Sequence, residues 1–159
     1  MQHRHARLVT MDIEALNKAI VDRWFTSLWG KVCDLAVIDE LASNDVILQY
    51  SPHPLRGHQA VKTFMTVFRE AFPDLEFRRI GGLISDGDVV VVRWEANGTH
   101  TGPAFSDFHI GPLPASSGLS IVLSGHTAVR LRDTLIVEEA IWSTKRKVIE
   151  RRIMGCLVA

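Results

Sequence analysis

The chain has 159 residues, 47% of them apolar, which is enough for one globular domain with its own core and short for two. Lys+Arg and Asp+Glu each number 18, so the formal charge is zero; with no basic stripe to track phosphates, nucleic acid is not the expected partner. No run approaches the ~20 apolar residues of a membrane span. The basic start Met1–Arg7 leads into an acidic amphipathic segment rather than the apolar core of a secretory signal, so a soluble, cytoplasmic chain is expected.

Residues 1–10 read as a flexible tail and 11–159 as a single domain. Ile13, Leu16, Ile20, Trp24 and Leu28 carry the three-and-four spacing of one helical face over 11–29, with Thr10 as its N-cap and Gly30 as its stop. Cys33 follows, and it and Cys156 are too far apart in sequence to signal a metal knuckle or a disulfide framework. A second, shorter helix fits Val32–Ala42, broken by Ser43-Asn44-Asp45, and Val46–Tyr50 is a short strand. The third helix starts at Gly57, presents Val61, Phe64, Met65, Phe68 and Phe72, and stops at Pro73.

From there the period becomes two. Leu75–Ser85 reads as a strand bent at Gly81-Gly82, and Ser85-Asp86-Gly87-Asp88 as a tight hairpin turn. Val89–Thr99 is a long strand. Residues 101–118 hold three of the six prolines and three of the eleven glycines and read as the one long irregular segment. Strands Leu119–Leu131 and Leu135–Ser143 follow around a turn at Arg132-Asp133-Thr134. Helices followed by an antiparallel meander predict an α+β fold with helices on one face of the sheet. A bend at Gly81-Gly82 would curl that sheet into a cone with a mouth.

Several short motifs recur in a familiar order: Leu55-Arg56-Gly57-His58-Gln59-Ala60-Val61, Ala71-Phe72-Pro73-Asp74-Leu75, Gly87-Asp88, Arg93-Trp94, Gly98-Thr99-His100-Thr101-Gly102 and Ile136-Val137-Glu138-Glu139. Over residues 12–155 the chain thereby resembles the SnoaL-like polyketide cyclase, or ester cyclase, branch of the NTF2-like superfamily. The resemblance implies a cone-shaped, cystatin-like α+β barrel, with three N-terminal helices on a curved, mainly antiparallel sheet. It further implies a deep apolar pocket, a homodimer through the outer sheet face, and an acid/base aspartate working without metal or cofactor on a small hydrophobic ligand or substrate. Aligned on Ile136-Val137-Glu138, that aspartate falls at Ile141 and its companion histidine at Thr127. Isoleucine cannot move a proton.

Other groups are therefore candidates for acid/base work: His100 at the end of its strand, His126 if the register slips, and Glu139 if it faces inward, where burial would disfavour its charge. Glu138 and Glu139 point to opposite sides of their strand, and a salt bridge of either to Arg93 or Arg130 is the alternative. Trp24, Tyr50, His53, Trp94, Phe105, His109, Thr127 and Trp142 are the expected pocket wall. His53 and His58 do not read as a metal pair, because Pro54 and Gly57 break the one-face geometry of a four-residue gap. Two functions remain open: an enzyme of the cyclase, isomerase or hydratase/hydrolase type acting on a small apolar carbonyl compound, and a non-catalytic ligand-binding or dimerisation domain. An epoxide-type hydrolase would need an Asp-Arg-Asp set, which Asp88 and Arg93 do not complete.

Overall fold

The structure, a computed structural model, describes residues 2–50, 53–107 and 110–149, with side chains between Ile13 and Ser143. The element order is α1 (Gln2–Trp24), a π turn (Phe25–Trp29), α2 (Ala36–Leu41), β1 (Ala42–Gln49), β2 (Leu55–Arg56), α3 (Gly57–Ala71), β3 (Glu76–Arg79), β4 (Ile84–Asp86), β5 (Val89–Thr99), β6 (Phe105–Asp107), β7 (Gly111–Leu113), β8 (Ser120–Arg132) and β9 (Leu135–Ile149). The α+β class and the helix-then-meander order follow the sequence reading. One sheet runs β2-β1-β9-β8-β5-β3, and β4 shares the β5 edge with β3. All its pairings are antiparallel except β1 with β9. The helices cover one face, and the core fills the space between.

Several boundaries differ from the sequence reading: α2 begins at Ala36 rather than Val32, β9 runs on to Ile149 rather than ending at Ser143, and four further differences have local reasons. Thr10 lies inside α1 rather than capping it, and the buried stripe of that helix is Asn17, Val21 and Trp24, whereas Ile13 and Leu16 are about half exposed. Asn17 sits in the stripe because its amide donates to the Gly87 carbonyl of the β4–β5 turn at 3.2 Å. Ser43-Asn44-Asp45 is not a break but an irregular stretch of β1, across which the pairing with β9 shifts between Ala42 and Ile47. A polar bulge has the composition of a loop while remaining part of a strand.

The strand read across Leu75–Ser85 is two strands. Gly81, at φ 74°, turns the chain out of the sheet, so that β3 pairs with residues 94–97 of β5 and β4 with residues 89–91. The irregular segment 101–118 contains the small β6–β7 hairpin, whose strands of three residues each are too short to show periodicity.

The Gly98-Thr99-His100-Thr101-Gly102 stretch joins β5 to the end of α3. A Cβ on Gly102 would fall 1.8 Å from the Glu70 carbonyl oxygen, so only glycine lets this backbone lie against the helix terminus. The Gly102 amide donates to the Ala71 carbonyl at 3.1 Å.

Candidate functional site

The inner face of the sheet is set by alternation along β5, β8 and β9. Trp94 on β5, Leu123 and Thr127 on β8, and Ile141 and Ser143 on β9 face a narrow slot. Its other walls are Phe25 and Trp29 from the π turn, Tyr50 after β1, and Phe77 on β3. The free space between these walls is about 10 Å³, room for about one water-sized sphere. Trp29 and Trp94 both pack against Phe77, with centroid distances of 4.9 and 5.0 Å.

Thr127 and Ile141 are direct partners across β8 and β9. The Trp94 indole donates to the Thr127 hydroxyl oxygen at 2.9 Å, which satisfies a buried polar group on each strand. Trp94 reaches across because its partner residue is Gly125, where a Cβ would come within 2.7 Å of the indole ring.

Glu139, one step before Thr127's partner on the same face of β9, is 1% exposed. Its two carboxylate oxygens accept from Trp24 Nε1 at 2.8 Å and Trp29 Nε1 at 3.0 Å. In a regular helix residues five apart point about 140° from each other, at 3.6 residues per turn. The π turn has a five-residue hydrogen-bond repeat and aligns the two indoles on one carboxylate. Burial pushes the Glu139 carboxyl up to about 7, opposed only in part by the two indole donors. Glu139 does not line the slot. It stands behind Trp29, which does. Of the two readings for the Glu138-Glu139 pair, Glu138 takes the outer one, 3.7 Å from Arg130 and accepting from Gln49 Nε2.

The remaining sequence-predicted residues are dispersed. His100 is fully buried, but it closes the 101–118 segment rather than opening a pocket. Its Nε2 lies 2.7 Å from the Pro103 carbonyl, which can only accept, so Nε2 carries the proton and Nδ1 accepts from Ser117 Oγ at 2.8 Å. His126 is exposed on the outer sheet face beside Arg93 and Trp142, and Trp142 is 61% exposed there. Trp24 supports Glu139 and does not line the slot. His53 is exposed. Phe105 stacks on Phe68 at 5.5 Å and lines a separate groove on α3. His109 lies outside the described residues. His58 ties α3 to the β1 bulge, with Nε2 near the Ala42 and Ser43 carbonyls and Nδ1 against Asp39. No group of three His, Cys, Asp or Glu among the described residues could hold a metal ion.

Tyr50, Trp94 and Thr127 are thus brought together. Trp29, Phe77, Leu123 and Ser143 join them in the slot without having been singled out as its wall. Ser143 was within reach of the alternation from Glu139 through Ile141. Trp29 was not, since its position depends on the π turn.

The profile of the SnoaL-like polyketide cyclase family matches residues 19–148. Among solved structures, a protein described as a SnoaL-like polyketide cyclase, from Jannaschia sp. CCS1, is 26% identical with a TM-score of 0.69, over 82% of this chain and 87% of that one. A protein described as a polyketide cyclase, from Acidithiobacillus ferrooxidans, is 23% identical with a TM-score of 0.60, over 80% and 87%. A protein with a cystatin-like fold from Xanthomonas campestris is 19% identical with a TM-score of 0.63, over 81% and 91%. No curated protein matches the chain.

Proposed function

This chain belongs to the SnoaL-like polyketide cyclase family, and on that premise we propose that it binds a small, largely apolar carbonyl compound in the slot between the π turn and the inner sheet face. The observation that carries this reading is the Thr127–Ile141 pair. Where an acid/base aspartate and histidine are expected from the family, the two facing positions are a hydroxyl and an aliphatic chain. The slot wall is otherwise aromatic or aliphatic, apart from the Tyr50 and Ser143 hydroxyls. Such a wall desolvates a ring system and orients a carbonyl by hydroxyl donors. Thr127, whose oxygen accepts from Trp94, still has its own proton to give.

A second reading, cyclase- or isomerase-type catalysis, is favoured by one feature: the Glu139 carboxyl is held near neutrality just behind the wall. In that reading a shift of Trp29 brings Glu139 to the ligand. Its carboxylate takes the α-proton, the electron pair moves onto the carbonyl oxygen, and Thr127 donates to the resulting enolate.

Titration with the naphthyl ketone prodan, followed by its emission and by α-proton exchange in D2O, separates the two. Saturable binding that Ser143→Phe abolishes, without exchange above buffer, is the outcome expected of a holder. Exchange that Glu139→Gln removes would establish the catalytic reading. Binding that is undiminished by Ser143→Phe and by Leu123→Phe would place the ligand elsewhere and end both.

A homodimer through the outer sheet face is part of the same proposal. The exposed Trp142 lies there among Arg93, Glu95 and His126, an amphipathic patch of the kind that self-pairs about a two-fold axis.

A further inference from the structure

We infer that the Tyr50 side chain divides one elongated ligand site into two compartments, the slot and a groove along α3, and that Asp107 holds this divider in place. The inference rests on the slot being a ligand site. Of the described residues, Tyr50 alone belongs to both walls. On its far side is an open concavity of about 750 Å³, floored by Leu55, Phe64 and Phe105 and bordered by Val67, which is 46% exposed. The slot as it stands is nearly filled, so a ring system enters it by displacing the Tyr50 wall, and the groove by itself is too open to desolvate one. Joined, they form a site with a closed head and an open tail, a shape that fits a molecule longer than the slot.

The divider is held at both ends. The Tyr50 ring packs on Phe64 with centroids 4.8 Å apart. Its hydroxyl donates to Asp107 Oδ2 at 2.8 Å. The other oxygen of Asp107 accepts from the Ile110 amide at 2.5 Å, so the β6–β7 hairpin fixes the carboxylate that fixes the tyrosine. Burial and the neighbouring Asp107 charge both push the phenol upward, so Tyr50 remains the donor of this bond across ordinary pH. The hydrogen bond to Asp107 and the contact with Phe64 are set against the apolar surface that a chain lying over Tyr50 onto Phe64 and Val67 would cover. The occupant is therefore an elongated ketone, with a compact aromatic head inside and an aliphatic tail along α3.

The test compares prodan with its hexanoyl homologue, which has the same head and three more methylenes. Wild-type protein is expected to bind the homologue about tenfold tighter, the fraction of full methylene transfer that a half-open groove captures. Val67→Glu keeps a helix-forming residue far from the slot; it is expected to cut that gain to under about threefold and to leave prodan affinity within about twofold. Tyr50→Phe and Asp107→Asn, which remove the bond and keep the shapes, are expected to speed association of the homologue in stopped flow. Equal affinity of wild type for the two ketones overturns the inference, as does a gain that survives Val67→Glu. Failure of prodan itself to bind wild type is a different result, one that removes the slot reading and this inference with it.

Discussion

Two indole N–H groups, and no basic side chain among the described residues, offset the burial of Glu139. A carboxyl in that state is linked to stability with a definite sign. Its folded value, about 7, lies above its unfolded value of 4.5, so the folded chain binds more protons than the unfolded one between those limits. Stability from this group is complete below about pH 4.5, falls as pH rises to about 7, and is level above. The swing is on the order of 3 kcal/mol. Urea denaturation at pH 5 and pH 8 should register it, and Glu139→Gln should remove most of the pH dependence while leaving one indole poorly paired. For Thr127→Val, which keeps the shape but removes the acceptor of Trp94 Nε1, a loss of about 1–3 kcal/mol is expected from the orphaned donor, measured by the same denaturation. That one glutamate of the 138-139 pair faces inward could be read from alternation. Which one could not, because the β8–β9 register shifts between Arg130 and Leu131 and resets the parity of β9.

At the scale of elements, the π turn is the device that organises the site, and Arg69 holds its end. The guanidinium of this α3 residue donates to the carbonyls of Trp29 at 2.9 Å and Gly30 at 2.7 Å, and also to Leu28 and Leu75. Leu28, Trp29 and Gly30 lie at the end of the π turn, and a charged donor suits the negative end of a helix. Arg69→Met should cost about 2–4 kcal/mol and loosen Trp29, read as a lower melting temperature together with a red shift of tryptophan emission. The β5–α3 junction gives a second prediction. Gly102→Ala places a methyl group against the Glu70 carbonyl, and a loss of at least about 1–3 kcal/mol is expected from the forced backbone shift. His100 belongs with this junction. The segment that follows it brings polar groups inside, and the buried imidazole, with one donor and one acceptor nitrogen, satisfies the Pro103 carbonyl and the Ser117 hydroxyl. The sequence signal that drew attention to it, a histidine between glycines at a strand end, is common to a pocket lip and a loop closure.

For the molecule as a whole, the proposal gives the outer and inner sheet faces separate roles, and a single substitution tests the outer one. Trp142→Asp should convert a dimer to a monomer in light scattering without changing the far-UV circular dichroism. A species whose mass is the same with and without the substitution would count against that face as the interface.

The α+β class, the three helices, the long strands and the family were all legible in the residues, because each depends on periodicity or on motifs contained within a few neighbouring positions. What the tertiary structure decided was convergence. It bent the first helix through a π turn so that Trp24 and Trp29 meet a carboxyl more than a hundred residues away. It turned Trp142 and His126 outward, drew His100 into a loop, and set Tyr50 between two cavities. The physical reason is that local pattern specifies what an element is, whereas bulges, register shifts and loop closures specify which side it shows, and those are settled only when distant strands pair.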